Sequence, residues 1–125
     1  HGPEGSQFVV MTSGLRSLRD KTLAYMNRRL NRVDSEQVPT LLDAVDTYAS
    51  CLRQTAQEDK AAVEASKLTF NLHAIIAGQL PDDPRPTAYL VYPEGNWIEI
   101  TERTQGEISV DVFGQYWSLE RQCAD

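Results

Sequence analysis

The stretch QFVVMTSGLRSLRDKTLAYM, residues 7–26, changes its hydrophobic period near its centre and so bears directly on the fold class. Phe8 to Met11 form a continuous apolar run, which is typical of a strand buried on both faces. After Gly14 the apolar residues recur at helical spacing. We therefore predict a strand that turns at Gly14 into a helix, with Ser13 as the N-cap. The predicted buried stripe of this helix is Leu15, Leu18, Thr22, Met26, Leu30 and Val33.

The next two segments predict a second helix and a strand. Residues 34–59 keep the helical period, with Ser35 as a candidate cap and Pro39 in the first turn, where an N–H is spare. The polar, alanine-rich residues 56–66 fit either an extension of that helix or a link. From Leu68 to Ile76 the period changes to two, and Gly78 is expected to end the strand. The predicted helical stripe is Val38, Leu41, Leu42, Val45, Ala49 and Leu52.

A hairpin and one more strand complete the predicted order. In AYLVYPEGNWIEI, residues 88–100, two short apolar runs flank a turn in which Pro93 fixes φ and Gly95 accepts a positive φ. We predict a further strand over 108–113. The resulting order favours one α+β domain over residues 1–125, with a helix pair packed on one face of an antiparallel sheet. The first strand has no sequence neighbour to pair with, so an edge strand is expected from elsewhere.

Composition excludes several classes of function. The 125 residues carry a formal charge of −6, which argues against nucleic acid and anionic membranes as partners. No apolar run approaches the ~20 residues that span a bilayer. The N-terminal residues lack the pattern of a signal peptide. Cys51 and Cys123 fit neither a disulfide framework nor a zinc signature. We expect a cytoplasmic protein without metal or cofactor.

No group of residues forms a self-contained active site. Glu4, Asp20, Asp82 and Asp83 are interpreted as surface or capping carboxylates. His73 fits a hydrogen-bonded structural residue better than a general base. Thr12 follows an apolar strand, which argues against a role as an N-terminal nucleophile. Gly14 is compatible with two roles, a tight turn or a backbone N–H donor that stabilises an oxyanion.

These segments together resemble a known family. FVVMTSGLRSLRDKTLAYM resembles the strand–helix entry of the bacterial proteasome-type proteases, the Anbu-like branch of the N-terminal nucleophile hydrolases. FNLHAIIAGQL and PTAYLVYPEGNWIEIT resemble the central strand and hairpin that follow in that family. The match covers residues 7–103, and residues 104–125 form a divergent tail. The resemblance implies one part of an αββα sandwich, whose hairpin lies inside two stacked sheets.

The resemblance also implies a function, a proteasome-like threonine peptidase subunit that hydrolyses peptide bonds within a homo-oligomer. The family's nucleophilic Thr, its lysine and its acidic residue lie upstream of the matched segment. We therefore expect a truncated peptidase domain that is inactive by itself and assign no nucleophile. Gly14 matches the family glycine whose N–H contributes to the oxyanion hole, and Lys21 does not match the catalytic lysine. The alternatives are a noncatalytic, self-assembling interaction module of the same fold and an unrelated small α+β domain with helices on one sheet face.

Overall fold

The computed structural model describes residues 7–30, 40–67, 69–108, 112 and 117–123. Five strands and four helices follow one another along these residues. In chain order they are β1 (Gln7–Gly14), α1 (Arg16–Leu30), α2 (Leu41–Glu58), α3 (Lys60–Ala65), β2 (Leu72–Gly78), β3 (Thr87–Val91), β4 (Trp97–Glu99), α4 (Glu102–Gln105) and β5 (Ser118–Cys123). The predicted α+β class is confirmed.

All five strands form one antiparallel sheet in the order β4-β3-β2-β1-β5. The predicted lack of a partner for β1 is wrong, because β1 lies between β2 and β5. The strand predicted at 108–113 falls mostly outside the described residues, while Ser118–Cys123 supplies the strand beside β1. The end of the predicted tail therefore belongs to the sheet. That residues 1–125 form one domain stays a prediction.

Helices α1 and α2 cover one face of the sheet and enclose the main core. The buried face of α1 carries Leu18, Thr22, Met26 and Leu30, as the stripe predicted. The buried face of α2 likewise carries predicted stripe residues, namely Leu41, Val45, Ala49 and Leu52. From the sheet they meet a row of strand residues that includes Phe8, Val10, Leu72, Ala74 and Ile76.

The helix starts differ from the sequence prediction. Ser13 is part of β1 rather than a helix cap, because β1 continues to Gly14 before α1 begins at Arg16. Helix α2 is capped by Thr40 in a capping box, in which Thr40 Oγ1 accepts from the Asp43 N–H and Asp43 accepts from the Thr40 N–H. The candidate cap Ser35, Pro39, and the predicted stripe residues Val33 and Val38 lie outside the described residues. Residues 56–66, which the sequence left open, are largely helical.

The hairpin between β3 and β4 has the predicted turn. The Tyr92 N–H donates to the Asn96 carbonyl at 2.8 Å, and the Gly95 N–H donates to the Tyr92 carbonyl at 2.9 Å. Gly95 has φ +93°, which is the backbone conformation that favours glycine. Arg53 on α2 donates to the Gly95 carbonyl at 3.2 Å, so the turn is attached to the helix layer.

The second face of the sheet is also apolar, but it is covered only in part. Strand alternation and register place Met11, Ile75, Leu90 and Ile98 in one row across four strands. Ile108, Val112 and Trp117 pack over the β2–β4 side of this face. Val9 and Met11 on β1 stay half-exposed, and in the described part of the chain they join neither apolar cluster. None of the described helices combines the length and apolarity needed to cross a membrane.

Candidate active-site corner

The corner between β1 and α1 requires glycine. Gly14 has φ +139°, which side chains rarely permit. A Cβ atom at this position would lie 1.9 Å from the Asn71 carbonyl oxygen. The backbone of β1 therefore approaches the entry of β2 more closely than a residue with a side chain at position 14 would allow. The Leu15 N–H holds this approach by donating to the same Asn71 carbonyl at 2.9 Å.

The register places the Gly14 corner at the end of the β1–β2 ladder. Ser13 pairs with His73 and Gly14 with Leu72. Beyond this pair the Leu15 N–H donates to the Asn71 carbonyl, while the Leu15 carbonyl accepts from the Arg19 N–H of α1. The chain therefore passes from the ladder to the helix within one residue of Gly14. The described β1–β5 pairs stop at Thr12, two residues before this corner.

Next to Gly14, three polar side chains form a row on the second face of the sheet. Ser13 lies opposite His73, and the β2–β3 register continues from His73 to Tyr92. The rings of His73 and Tyr92 meet edge to face with centroids 5.9 Å apart. Ser13 is only 9% exposed although no helix of the main core covers it. This polar row ends the apolar second face at the same edge as the Gly14 corner.

His73 is half-buried in this row. Its Nδ1 atom is buried and has no hydrogen-bond partner among the described residues. Burial lowers the pKa of the imidazole, and the charge of Glu94 opposes that shift. His73 is therefore held neutral near pH 7. The sequence indicated a hydrogen-bonded structural histidine; among the described residues Nδ1 has no such partner, and that interpretation stays a prediction.

The remaining candidates do not gather at this corner. Asp20 is exposed and forms ion pairs with Arg19 at 2.9 Å and Arg16 at 3.9 Å. Asp83 accepts from the Leu41 N–H at 2.9 Å and the Leu80 N–H at 2.8 Å, so it joins the start of α2 to the loop after β2. Asp82 is exposed, and Glu4 lies outside the described residues.

Thr12 and Lys21 are also held elsewhere. The Thr12 side chain is buried within β1 beneath the helix layer. Lys21 on α1 binds Asp59 at 2.8 Å and Glu58 at 2.9 Å, and these carboxylates raise its pKa. Cys51 is a buried free thiol, whose burial raises the thiol pKa. Within the described residues, no three His, Cys, Asp or Glu side chains come together in a way that could hold a metal.

Sequence reasoning missed the row of Ser13, His73 and Tyr92. It assigned Ser13 to a helix cap and Tyr92 only to the end of a hairpin strand. Each residue has an apolar neighbour two positions away on the same face, Met11, Ile75 or Leu90. That alternation carries the face assignment, but the register that aligns the three strands depends on pairing between distant segments.

Comparisons with known proteins give structural relatives. No protein-family model matches the chain. A search of curated proteins found no match either. Among solved structures, the similar folds are proteasome-like proteins of bacteria. The particular relatives are the Anbu proteins, so the predicted resemblance is confirmed.

Three of these structures show the extent of the similarity. An Anbu (Gly-1) mutant from Hyphomicrobium sp. strain MC1 is 26% identical over 82% of this chain and 41% of its own, with a TM-score of 0.65. The Anbu (ancestral beta-subunit) of Yersinia bercovieri is 20% identical over 82% and 42%, with a TM-score of 0.65. Another Hyphomicrobium Anbu is 21% identical over 95% and 48%, with a TM-score of 0.61. The chain thus spans less than half the length of these relatives.

Proposed function

We propose that this chain supplies one sheet and one helix layer of a proteasome-like threonine peptidase subunit, with Gly14 as a donor of the oxyanion hole. The sheet would be one of the two in an αββα sandwich, and α1 and α2 would form its outer helix layer. The substrates would be peptides, and the subunit would act in the cytoplasm as part of a homo-oligomer.

The observation that carries the proposal is a sheet that is apolar on both faces, with α1 and α2 of the described residues packed on one of them. In a two-layer α+β domain the second face would be expected to alternate towards polar residues. Here Val9, Met11 and Ile75 occupy it instead, and only part of it is packed by Ile108, Val112 and Trp117. A second stacked sheet would bury the remainder, since sheets pack face to face through apolar side chains.

The Gly14 corner supports the peptidase part of the proposal. Gly14 lies at a strand end beside a helix start, a position at which a backbone N–H donor stabilises negative charge. An oxyanion donor lowers the barrier of acyl transfer only when a nucleophile attacks beside it. The family resemblance assigns that role to a Thr upstream of the matched segment, and Thr12 is too deeply buried to take it.

The experiment begins with the coding sequence upstream of His1. If it encodes a Thr-led strand pair, the longer product should form a covalent adduct at that Thr with a threonine-directed inhibitor, detected by mass spectrometry. The same product should cleave a fluorogenic peptide, and replacement of that Thr by Ala should abolish both signals. The 125-residue chain is the matched control and should give neither. An inhibitor adduct on the 125-residue chain itself would contradict the proposal.

A second candidate is a noncatalytic, self-assembling module of the same fold. The half-exposed Val9 and Met11 favour it, because contiguous apolar surface on a sheet is a site of association. The two candidates separate on the same coding sequence. A gene that starts near the codon for His1, without a Thr-led strand pair, would favour the module and exclude the peptidase.

A further inference from the structure

A cleft opens on the outer side of the helix layer, remote from the Gly14 corner in sequence and in fold. Tyr25, Arg28 and Arg29 from α1 and Gln54 from α2 line it. Its volume of about 590 Å³ lies within the range of small-ligand sites. Two of these four residues are arginines, in a chain whose net charge is −6.

The guanidinium of Arg29 is fixed by neutral partners. Its Nη1 donates to Ser50 Oγ at 2.9 Å and its Nη2 donates to Gln54 Oε1 at 3.1 Å. Both acceptors lie on α2, so the side chain bridges the two helices. Neither acceptor carries a charge, and the guanidinium keeps further N–H donors for another group.

Arg28 is held in a different way. Its guanidinium carbon lies 4.8 Å from the centroid of the Tyr25 ring, at cation–π distance. Stacking on the ring occupies the face of the guanidinium and leaves its edge donors available. Within the described residues, neither Arg28 nor Arg29 has a carboxylate at ion-pair distance. Two oriented cations therefore share one cleft without a counterion from this part of the chain.

The neighbouring charges indicate which anion would fit. Beyond Tyr25, Lys21 is shared by Glu58 and Asp59, and Glu58 also accepts from the Tyr25 hydroxyl at 2.6 Å. Gln54 connects this group to the cleft by donating to Glu58 at 3.1 Å. Among the described residues of this group, Lys21, Arg28 and Arg29 against Glu58 and Asp59 leave one net positive charge. A single carboxylate balances it, whereas phosphate carries more than one negative charge near neutral pH.

We propose that this cleft binds a carboxylate group, with Arg28 and Arg29 as its charged donors. The planar fork of a guanidinium matches a carboxylate in two-point hydrogen bonding. The Tyr25 ring and the aliphatic part of Arg28 provide apolar wall for the group that carries the carboxylate. The proposal does not depend on the peptidase assignment, because none of its residues belongs to the Gly14 corner.

The test uses the whole chain and three probes, N-acetyl-trialanine as the free acid, the same peptide as its C-terminal amide, and inorganic phosphate. Binding is followed by changes in the NMR signals of the Tyr25–Arg29 amides as each probe is added. The free acid should shift these signals in a saturable way, and the shifts should decrease with added salt. The neutral amide should leave them in place, and phosphate should bind more weakly than the acid.

Variants connect any binding to the two arginines. Arg28→Gln and Arg29→Gln should each weaken binding of the acid at least about fivefold, as loss of a charge-assisted contact predicts. Arg103→Gln, which removes the same charge from α4, is the matched control and should bind as the parent does. Arg29→Gln also removes hydrogen bonds between α1 and α2. If that variant unfolds, the binding measured for Arg28→Gln tests the proposal by itself. Equal binding of acid and amide, no binding, tighter binding of phosphate, or equal weakening by Arg103→Gln would each overturn the proposal.

Discussion

At the scale of single residues, His73 couples protonation to folding. Burial lowers its pKa in the folded chain below the value of about 6.5 that is typical of an unfolded histidine. As the pH falls through that value, the unfolded chain takes up a proton that the folded chain resists. The free energy of unfolding therefore decreases below about pH 6.5 and levels off once the pH passes the folded-state pKa. The charge of Glu94 reduces this effect without reversing it.

Replacement of His73 tests this coupling. We expect His73→Gln, which keeps a polar side chain but cannot be protonated, to lose less stability than the parent between about pH 7 and about pH 5.5. Urea unfolding at both pH values measures the difference. Glu58 does not interfere in this window, because folding lowers its pKa to about 2 and the loss of its contribution begins only near its unfolded-state pKa of 4.5. Parallel pH dependence in parent and variant would show that His73 is no more buried than in the unfolded chain.

The residue scale also shows what the sequence could reveal about the site. Gly14 stands out in the sequence because a glycine between an apolar strand and a helical stripe indicates a strained corner. The lowered pKa of His73 was beyond reach, since it comes from burial of the ring, and that burial depends on the pairing of distant strands. Arg28 and Arg29 have a simpler interpretation in the sequence, as cations that suit a helix C-terminus. Their shared cleft depends on Ser50 and Gln54 of the next helix.

At the scale of elements, the corner from β1 to α1 depends on one backbone conformation. We expect Gly14→Ala to destabilise the chain by about 2–4 kcal/mol, because it adds strain at positive φ to a clash with backbone that cannot move aside. The Asn71 carbonyl oxygen, only 1.9 Å from the position that the alanine methyl carbon would take, belongs to the paired entry of β2. Urea unfolding at neutral pH measures the loss.

Gly106→Ala provides the matched control for this corner. Gly106 caps α4 with φ −70°, and an added Cβ there would meet only the Arg103 carbonyl at 3.9 Å. The free energy of unfolding of the Gly106→Ala variant should stay within about 0.5 kcal/mol of that of the parent. Similar losses in both variants would mean that the close approach at Asn71 relaxes without cost.

The elements that were predicted well are those with a local signal. The stripes of α1 and α2, the period of β2 and the Pro93–Asn96 turn follow from spacing and turn chemistry alone. The cap of α2 had a local signal that was overlooked, since Thr40 has an acidic residue three positions on and Ser35 does not. Strand β5 had none, because SLERQC shows little apolar alternation and forms a strand through the free edge of β1.

At the scale of the whole molecule, the two faces of the sheet differ in how completely they are covered. On the face under α1 and α2, the β1 and β2 core residues Phe8, Val10, Leu72, Ala74 and Ile76 are buried, whereas Val9 and Met11 on the second face are half-buried. Both side chains lie on β1, beside the part of the face that Ile108, Val112 and Trp117 cover. Apolar groups in this position lower their free energy by leaving water, at about 25 cal/mol per Å² of buried area.

We therefore expect the 125-residue chain to associate with itself as its concentration rises, and to bind a dye that reports exposed apolar surface. The double variant Val9→Thr and Met11→Gln should reduce both signals, since Thr keeps β propensity and Gln keeps the length of Met. Sedimentation velocity over a range of concentrations and dye fluorescence measure the effect. Leu42→Gln, at a half-buried apolar position of the helix layer, is the control and should change neither. If the control lowers association as much as the double variant does, the contact between copies lies on the helix layer and the second face needs no covering partner.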